Sequence, residues 1–234
     1  MALYSISDLH LSFGADKPMD AFGGAWVDYV EKIKTNWLIN VKEGDSVVLP
    51  GDLSWGMSLE DALPDFKFID ELPGTKYILK GNHDYFWETV AKINRFFDSN
   101  SITTIKIIHN NHYMFGNTAI CGTKGWFFED EFSDVHDEKI FKRETIRLRT
   151  SLESSKRAGA KRIFCFLHYP PIFQGREAVE IVALLREYGV SACFFGHLHG
   201  NSHRSAFQGM KEGIEYRLIA ADFLNFTPYL ICDC

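Results

Sequence analysis

Apolar residues in this chain follow two patterns. In one they form short continuous or alternating runs, and in the other they recur every three to four residues. The short runs predict β-strands, and glycine, proline or asparagine bounds several of them. The predicted strands are Ala2–Ser7, Ser46–Leu49, Lys76–Leu79, Ile102–Ile108, Tyr113–Phe115, Ala119–Cys121, Arg162–Leu167, Val190–Phe195, Tyr216–Ala220 and Tyr229–Cys232. The longer repeat predicts helices near Trp26–Val41 and over Leu59–Leu72, Tyr85–Phe97, residues 136–158 and Glu177–Tyr188. Because strands and helices alternate, we expect an α/β fold with helices packed on a sheet.

Polar side chains that can bind metal ions stand just after several of these strands. The residues in these positions are Asp8, Asp52, Asn82, His168 and His197. Because the carboxyl ends of strands in an open α/β sheet share one edge, where ligands bind, we expect them to converge. His10 and His199 lie two residues from Asp8 and His197, which brings the candidate ligands to seven.

The ligand types predict which ions the site prefers. Carboxylate, amide and imidazole groups without a thiolate suit Mn, Fe, Zn, Ni or Co better than Ca, and the imidazoles make Mg a weaker candidate. Seven ligands exceed what one tetrahedral ion with an open position uses, so we expect two ions that share Asp52. Two divalent ions with Asp8, Asp52 and a bridging hydroxide leave net positive charge, which attracts a phosphate ester.

Residues next to the predicted ligands supply the acid chemistry. His83 follows the ligand Asn82 and is the candidate general acid that protonates the leaving group. Asp84 is the candidate residue that orients the His83 ring.

Composition limits the classes of function. The chain has 234 residues, within the range of one α/β domain spanning 1–234, and a net charge of −6, which disfavours nucleic acid as a partner. Five cysteines without framework spacing argue against a disulfide scaffold. With no signal-peptide pattern and no apolar run of about 20 residues, we expect a cytoplasmic protein without membrane contact, whose oligomeric state stays open.

Five short motifs, in this order, resemble those of the calcineurin-like metallophosphoesterase superfamily. They are Asp8-Leu9-His10, Gly51-Asp52, Gly81-Asn82-His83-Asp84, His168 and Gly196-His197-Leu198-His199. The resemblance implies a four-layer α/β sandwich with two facing mixed β-sheets flanked by helices. It implies that one metal is held by Asp8, His10, Asp52 and His199, and the other by Asp52, Asn82, His168 and His197. His83 matches the family's catalytic histidine, with Asp84 as its partner, and the branch most similar is that of small bacterial phosphohydrolases.

Two departures bear on the branch and the pocket. The protein Ser/Thr phosphatases carry Asp-Arg after Gly-Asp and Glu after Asn-His, whereas Leu53-Ser54-Trp55 and Asp84 stand here. Many relatives carry Asn or Asp where this chain has Trp55.

From the motifs and the ligand set we expect a phosphomonoesterase or phosphodiesterase that uses metal-bound hydroxide on a small substrate. The alternatives are a non-catalytic scaffold and a nuclease.

Several polar and aromatic residues near the motifs are assigned to the surface or the core. His109, His112, His136 and His203 are treated as ordinary surface histidines, and His203 is the nearest of them to a motif. The segment Trp126–Phe128 is a candidate pocket wall, and Arg176 a candidate phosphate contact, with core packing and simple exposure as the respective alternatives.

Overall fold

The computed structural model describes residues 1–126 and 135–233, and its chain divides into two compact units. The first unit comprises residues 1–107 and 220–234, and the second comprises residues 108–219. Phe127 and Phe128, which belong to the candidate pocket wall, and Cys234 lie outside the described residues.

The first unit is built on a five-stranded mixed sheet. Its strands are β1 (Ala2–Ser5), β2 (Ser46–Leu49), β3 (Thr75–Ile78), β4 (Ile105–Ile107) and β13 (Tyr229–Asp233). In the order β13-β1-β2-β3-β4, strands β1 to β4 are parallel and β13 is antiparallel to β1. Its helices are α1 (Tyr29–Asn40), α2 (Leu63–Glu71) and α3 (Val90–Ser99). Side chains from all three helices, such as Trp37, Phe66 and Ile93, pack in one apolar core with the strands.

The second unit is built on a six-stranded mixed sheet. Its strands are β5 (His112–Phe115), β6 (Thr118–Thr123), β7 (Arg162–Leu167), β10 (Ala192–Phe195), β11 (Gly209–Lys211) and β12 (Ile214–Leu218). Their order across the sheet is β11-β12-β10-β7-β6-β5. Helices α4 (Val135–Arg157) and α5 (Val179–Glu187) belong to this unit, and α4 packs on β5 and β6. A two-stranded ribbon, β8 (Ile172–Phe173) and β9 (Arg176–Glu177), completes it.

Two mixed sheets flanked by helices confirm the predicted α/β class. The runs Ser46–Leu49 and Arg162–Leu167 have the predicted bounds as β2 and β7. In every described helix, the length or the apolar character falls short of a membrane span.

Local chemistry explains where the prediction of α3 was wrong. The helix begins at Val90 rather than at Tyr85, because the Thr89 side chain accepts a hydrogen bond from Lys92 N and caps the helix there. Tyr85 and Phe86 form a turn before it, and Tyr85 contacts His83 of the candidate site. The short strands β8, β9 and β11 were not predicted, since two or three residues carry too little periodic pattern.

Candidate metal centre

The loops that follow β1 and β2 hold three candidate ligands in left-handed backbone conformations. The φ angles are 62° at Asp8, 46° at His10 and 52° at Asp52. Such a conformation costs a non-glycine residue roughly 1–3 kcal/mol and persists where neighbouring contacts enforce it. Here Asp8 N donates to Gly51 O at 3.0 Å and His10 N donates to Asp52 O at 2.9 Å. The two loops therefore hold each other in the conformation that presents the ligands.

The side chains of these three residues converge within the first unit. Asp8 and His10 have ligand atoms within 4.8 Å of one another, as do Asp8 and Asp52. His10 Nε2 lies 3.7 Å from Asp52 Oδ2. Asp8 is 0%, Asp52 1% and His10 3% exposed. Two buried carboxylates this close repel one another unless a cation or a proton offsets their charge, so the cluster suits a metal ion.

Asp84 links the loop after β2 to the loop after β3. Its carboxylate accepts hydrogen bonds from Asp52 N at 3.0 Å, Leu53 N at 2.8 Å and Gly81 N at 2.6 Å. Since Asp84 is completely buried, these charge-assisted bonds form away from water and are stronger than exposed ones. The carboxylate thus fixes the backbone on both sides of the ligands. The sequence-based role for Asp84, orientation of His83, stays a prediction.

Gly81 allows Asp52 to approach the loop after β3. A Cβ atom on Gly81 would overlap both Asp52 Oδ1 and Asp52 N. The same Oδ1 accepts a hydrogen bond from His83 N at 2.8 Å. Only glycine permits this close approach. The motif Gly81-Asn82-His83-Asp84 therefore brings His83 next to the carboxylate predicted to bridge the metals, with Asn82 partly buried in between.

His83 lies among aromatic and hydroxyl groups. Its Nδ1 lies 3.2 Å from the hydroxyl oxygen of Tyr85. Its ring centroid lies 4.6 Å from that of Trp55 and 5.8 Å from that of His10. Tyr85 and Trp55 thus contact the ring of the candidate acid, and the sequence pattern did not identify Tyr85. The spacing of two residues from His83 in a turn is the signal that could have found it.

The Trp55 ring contacts both the candidate ligand His10 and the candidate acid His83. Its ring stacks on the His10 ring at 5.0 Å with an interplanar angle of 21°. Lys17 Nζ lies 4.7 Å from the centroid of the same ring. Within the described part of the chain, the buried indole Nε1 has no hydrogen-bond partner. An unsatisfied buried donor costs about 1–3 kcal/mol, so stability alone does not explain an indole here.

Another buried carboxylate, Asp65 on α2, connects the loop after β1 to the loop after β2. Asp65 accepts hydrogen bonds from Phe13 N at 2.8 Å and from the Ser54 hydroxyl. Burial raises the pKa of Asp65 to about 6, and the hydrogen bonds from Ser54 and Phe13 partly oppose that rise. Asp65 therefore connects the chain after His10 to the chain after Asp52.

The second unit carries its own cluster of histidines at the ends of β7 and β10. His168 directly follows β7 and is completely buried, and His197 follows β10 with φ at 70°. Their ring centroids lie 5.2 Å apart. Gly196 N donates to His168 O at 3.1 Å and His168 N donates to Lys124 O at 3.1 Å. The ends of β6, β7 and β10 are thereby tied together, as expected for one edge of a sheet.

His199 and His203 form a further pair in the second unit. Their ligand atoms lie within 4.8 Å of one another, in a group that could hold a metal ion. His203 was assigned to the surface on the sequence, although its spacing of four residues from His199 was a usable signal. In the first unit, Asp222 is 8% exposed and also belongs to a group that could hold a metal. Nothing in the sequence around Asp222 singled it out.

A cation and two aromatic rings border the histidines of the second unit. Lys124 Nζ lies 3.9 Å from the Trp126 ring centroid, and the rings of Trp126 and Tyr169 lie 5.5 Å apart. The Tyr169 ring lies 4.3 Å from that of His197. Trp126 therefore packs against Tyr169, which contacts the candidate ligand His197. Arg176, the candidate phosphate contact, lies on β9.

The candidate ligands thus fall into two sets, and each unit gathers its own. Asp8, His10 and Asp52 cluster in the first unit, and His168 with His197 clusters in the second. The first set offers carboxylate and imidazole groups and the second offers imidazole groups, and both kinds of ligand fit divalent transition metals. That the two sets serve the same ions is a prediction.

Comparisons with known proteins agree on the family and the fold. The family model described as calcineurin-like phosphoesterase matches residues 1–201. No curated protein sequence matches the chain.

Solved structures with low sequence identity share the fold. One is a protein of unknown function from Aquifex aeolicus, with a TM-score of 0.53, 15% identity, and coverage of 98% of this chain and 95% of that one. A Thermus thermophilus protein has a TM-score of 0.55 at 13% identity, with coverage of 84% and 81%. The phosphopantetheinyl hydrolase of Mycobacterium tuberculosis has a TM-score of 0.55 at 10% identity, with coverage of 100% and 96%. With its fold, its histidine and aspartate clusters and a family match over most of its length, this chain belongs to the calcineurin-like phosphoesterases.

Proposed function

We propose that this protein is a dinuclear metal-dependent phosphohydrolase that cleaves a phosphomonoester or a phosphodiester. The proposal requires the two units to act as one domain over residues 1–234 and to contribute ligands to the same pair of ions. The first ion is assigned to Asp8, His10, Asp52 and His199, and the second to Asp52, Asn82, His168 and His197. Family membership supports the reaction class, a phosphoesterase.

One observation carries the proposal, the burial of Asp8 and Asp52 side by side with His10. Two carboxylates that are 0% and 1% exposed are destabilising for a protein without a compensating cation. The strained backbone at all three residues also lowers the stability of the folded protein. A binding site for cations explains both the buried carboxylates and the strained backbone.

The chain supplies positioning and proton transfer. When bound, two divalent ions lower the pKa of water toward about 7 and offset the negative charge of the phosphate. With Nδ1 of His83 hydrogen-bonded to the Tyr85 hydroxyl, we assign donation of the proton to the leaving oxygen to Nε2. Asp84 keeps His83 and Asp52 in register through the backbone amides that it binds.

The substrate is proposed to be a small phosphate ester rather than a nucleic acid. A net charge of −6 repels polyanions over the surface as a whole, while the metal site attracts one phosphate locally. One fold neighbour is a phosphopantetheinyl hydrolase, but at 10% identity its likeness extends to the fold alone.

Hydrolysis of p-nitrophenyl phosphate and of its bis ester tests the proposal. Both are assayed after removal of metal and again with Mn²⁺, Ni²⁺, Co²⁺, Zn²⁺ or Mg²⁺. We expect activity with at least one transition metal and a loss of roughly 100-fold in Asn82→Ala, because removing one ligand weakens one ion site.

An Asp98→Ala variant is the matched control, since Asp98 is an exposed carboxylate on α3 away from the loops that carry the ligands. Full activity in Asn82→Ala would contradict the ligand assignment. Absence of hydrolysis with every metal would favour the non-catalytic scaffold.

A further inference from the structure

An exposed lysine in the first unit contacts the aromatic ring that neighbours the proposed general acid. Lys17 Nζ lies 4.7 Å from the Trp55 ring centroid, and that centroid lies 4.6 Å from the His83 ring. Across residues 1–126 and 135–233, Lys17 forms no ion pair. An aromatic ring attracts an ammonium without neutralising it, unlike a carboxylate. The full positive charge of Lys17 is therefore available to an anion that reaches the Trp55 ring.

The backbone that carries Lys17 is anchored on both sides. Pro18 follows directly with φ at −67°, and a residue before proline is restricted to extended conformations. Met19 is 7% exposed and packs in the apolar core of the unit. On the other side, Phe13 N is bound by the Asp65 carboxylate. An anion that binds Lys17 therefore needs to order little more than one side chain.

The contact between Trp55 and His83 indicates which part of the substrate binds near Trp55. In the proposed reaction His83 protonates the oxygen of the leaving group, so residues that contact the His83 ring border the leaving group. Trp55 is such a residue. The ammonium of Lys17 over its indole ring provides positive charge, which favours a negatively charged leaving group.

We propose that Lys17 and Trp55 form a subsite for a leaving group that carries its own anion, a carboxylate or a second phosphate. The inference rests on the proposed function. It predicts that the protein prefers phosphate esters with an anionic leaving group over neutral ones of the same shape.

Three aryl esters of matched shape test this subsite. 4-Carbamoylphenyl phosphate, 4-carboxyphenyl phosphate and 1,4-phenylene bisphosphate share one para-substituted ring, and they are compared by kcat/KM with the most active metal. We expect about a tenfold preference for the anionic esters, the scale of one charge-assisted contact, and a decline of that preference as salt rises. The two anionic esters separate recognition of carboxylate from recognition of phosphate.

Two charge-matched variants separate the subsite from net charge. Lys17→Gln is expected to bring the preference close to one, whereas Lys67→Gln, an exposed lysine on α2, is expected to keep it. Equal kcat/KM for all three esters in the unmutated protein would overturn the subsite, as would an unchanged preference in Lys17→Gln. Hydrolysis of none of the esters with any metal would overturn the proposed function and the subsite with it. Hydrolysis without preference would overturn the subsite alone.

Discussion

At the scale of single residues, unfavourable features gather around the candidate ligands. Asp8, His10, Asp52 and His197 have positive φ angles, and Trp55 has a buried donor without an acceptor in the described ranges. Local strain of this kind accumulates where function requires a geometry that stability does not favour. Each such residue therefore offers a test in which folding and activity respond differently.

Gly81 is the residue whose replacement should damage the site most directly. In Gly81→Ala the new methyl group would overlap Asp52 Oδ1 and Asp52 N, so Asp52 must move. We expect a decrease in activity of roughly 100-fold and weaker metal binding, since a shift of about 1 Å in a positioned group costs that much. Steady-state kinetics and calorimetric metal titration measure the two effects.

The exposed glycine Gly44 provides a control for the substitution, because a Cβ there meets only the Met1 side chain at 3.9 Å. A Gly81→Ala protein with normal kinetics would show that Asp52 does not need its present position.

Tyr85 should act on the reaction through His83. Tyr85→Phe removes the hydroxyl that lies 3.2 Å from His83 Nδ1, so the ring loses a contact that fixes its orientation. We expect kcat to decrease roughly 3- to 30-fold with little change in KM, more for esters with poor leaving groups, which depend most on the acid. Kinetics on aryl phosphates of graded leaving-group acidity measure this dependence.

Tyr188→Phe deletes the same atom from a surface tyrosine bonded to Arg149 and Glu153 and serves as the control. A uniform loss on all esters in Tyr85→Phe would argue against a link to His83.

At the scale of elements, the sequence predicted the strands better than the loops between them. Continuous apolar runs placed β2 and β7 at their bounds, because buried parallel strands leave a strong pattern. Ligand residues were identifiable as polar side chains after strands. The braces Asp65 and Asp84 were not predicted as such, since a carboxylate that bonds backbone amides of a distant loop leaves no local signal. Asp222 was missed because nothing in the sequence around it singled it out, whereas the spacing of His203 from His199 was a signal that went unused.

Asp84 should control metal affinity through the two loops that it joins. In Asp84→Asn one oxygen is replaced by an amide nitrogen that cannot accept from Asp52 N or Gly81 N. We expect metal affinity to fall about 10- to 100-fold, as for other residues that support ligands. Competition with a fluorescent chelator measures this change.

Asp70, which binds Thr103 N and Thr104 N elsewhere in the unit, gives a matched control variant, Asp70→Asn. Unaltered metal affinity in Asp84→Asn would show that the loops hold their geometry without this carboxylate.

Asp65 should make stability depend on pH. Burial raises its pKa from 3.8 to about 6, so the folded protein retains a proton that the unfolded chain releases. The stabilisation from this group is complete below pH 3.8 and is lost as the pH rises through about 6. Relative to Asp65→Asn, the unmutated protein should lose up to about 3 kcal/mol of unfolding free energy between about pH 4 and about pH 7.

Urea unfolding of both proteins across that range measures the difference. A constant difference in unfolding free energy between the two would contradict the raised pKa.

At the scale of the whole molecule, the proposal joins ligands from the two units. The resemblance to the family, rather than spacing, provided the second sheet and the division of ligands between the ions. If each ion takes ligands from both units, metal stabilises the folded chain as a whole. At a metal concentration about 100 times the Kd, the gain is roughly 2.7 kcal/mol. For a chain of this size that corresponds to an increase in Tm of about 5–10 °C.

Thermal unfolding with Mn²⁺ and with chelator measures this increase in Tm. His168→Ala should reduce the increase, whereas His136→Ala on α4 should preserve it. An equal increase in Tm in His168→Ala would argue that the second unit does not bind the stabilising ion.

Metal stoichiometry measured together with activity is the sharpest test of a dinuclear metal centre in this protein. Mn²⁺ is titrated into metal-free protein while bound metal per chain and hydrolysis of bis-p-nitrophenyl phosphate are recorded in the same samples. We expect activity to rise to a plateau as bound metal reaches two ions per chain, and we expect Asp52→Ala, which lacks the shared carboxylate, never to reach that plateau. Full activity in Asp52→Ala, or in protein with no bound metal, would contradict a dinuclear metal-dependent mechanism.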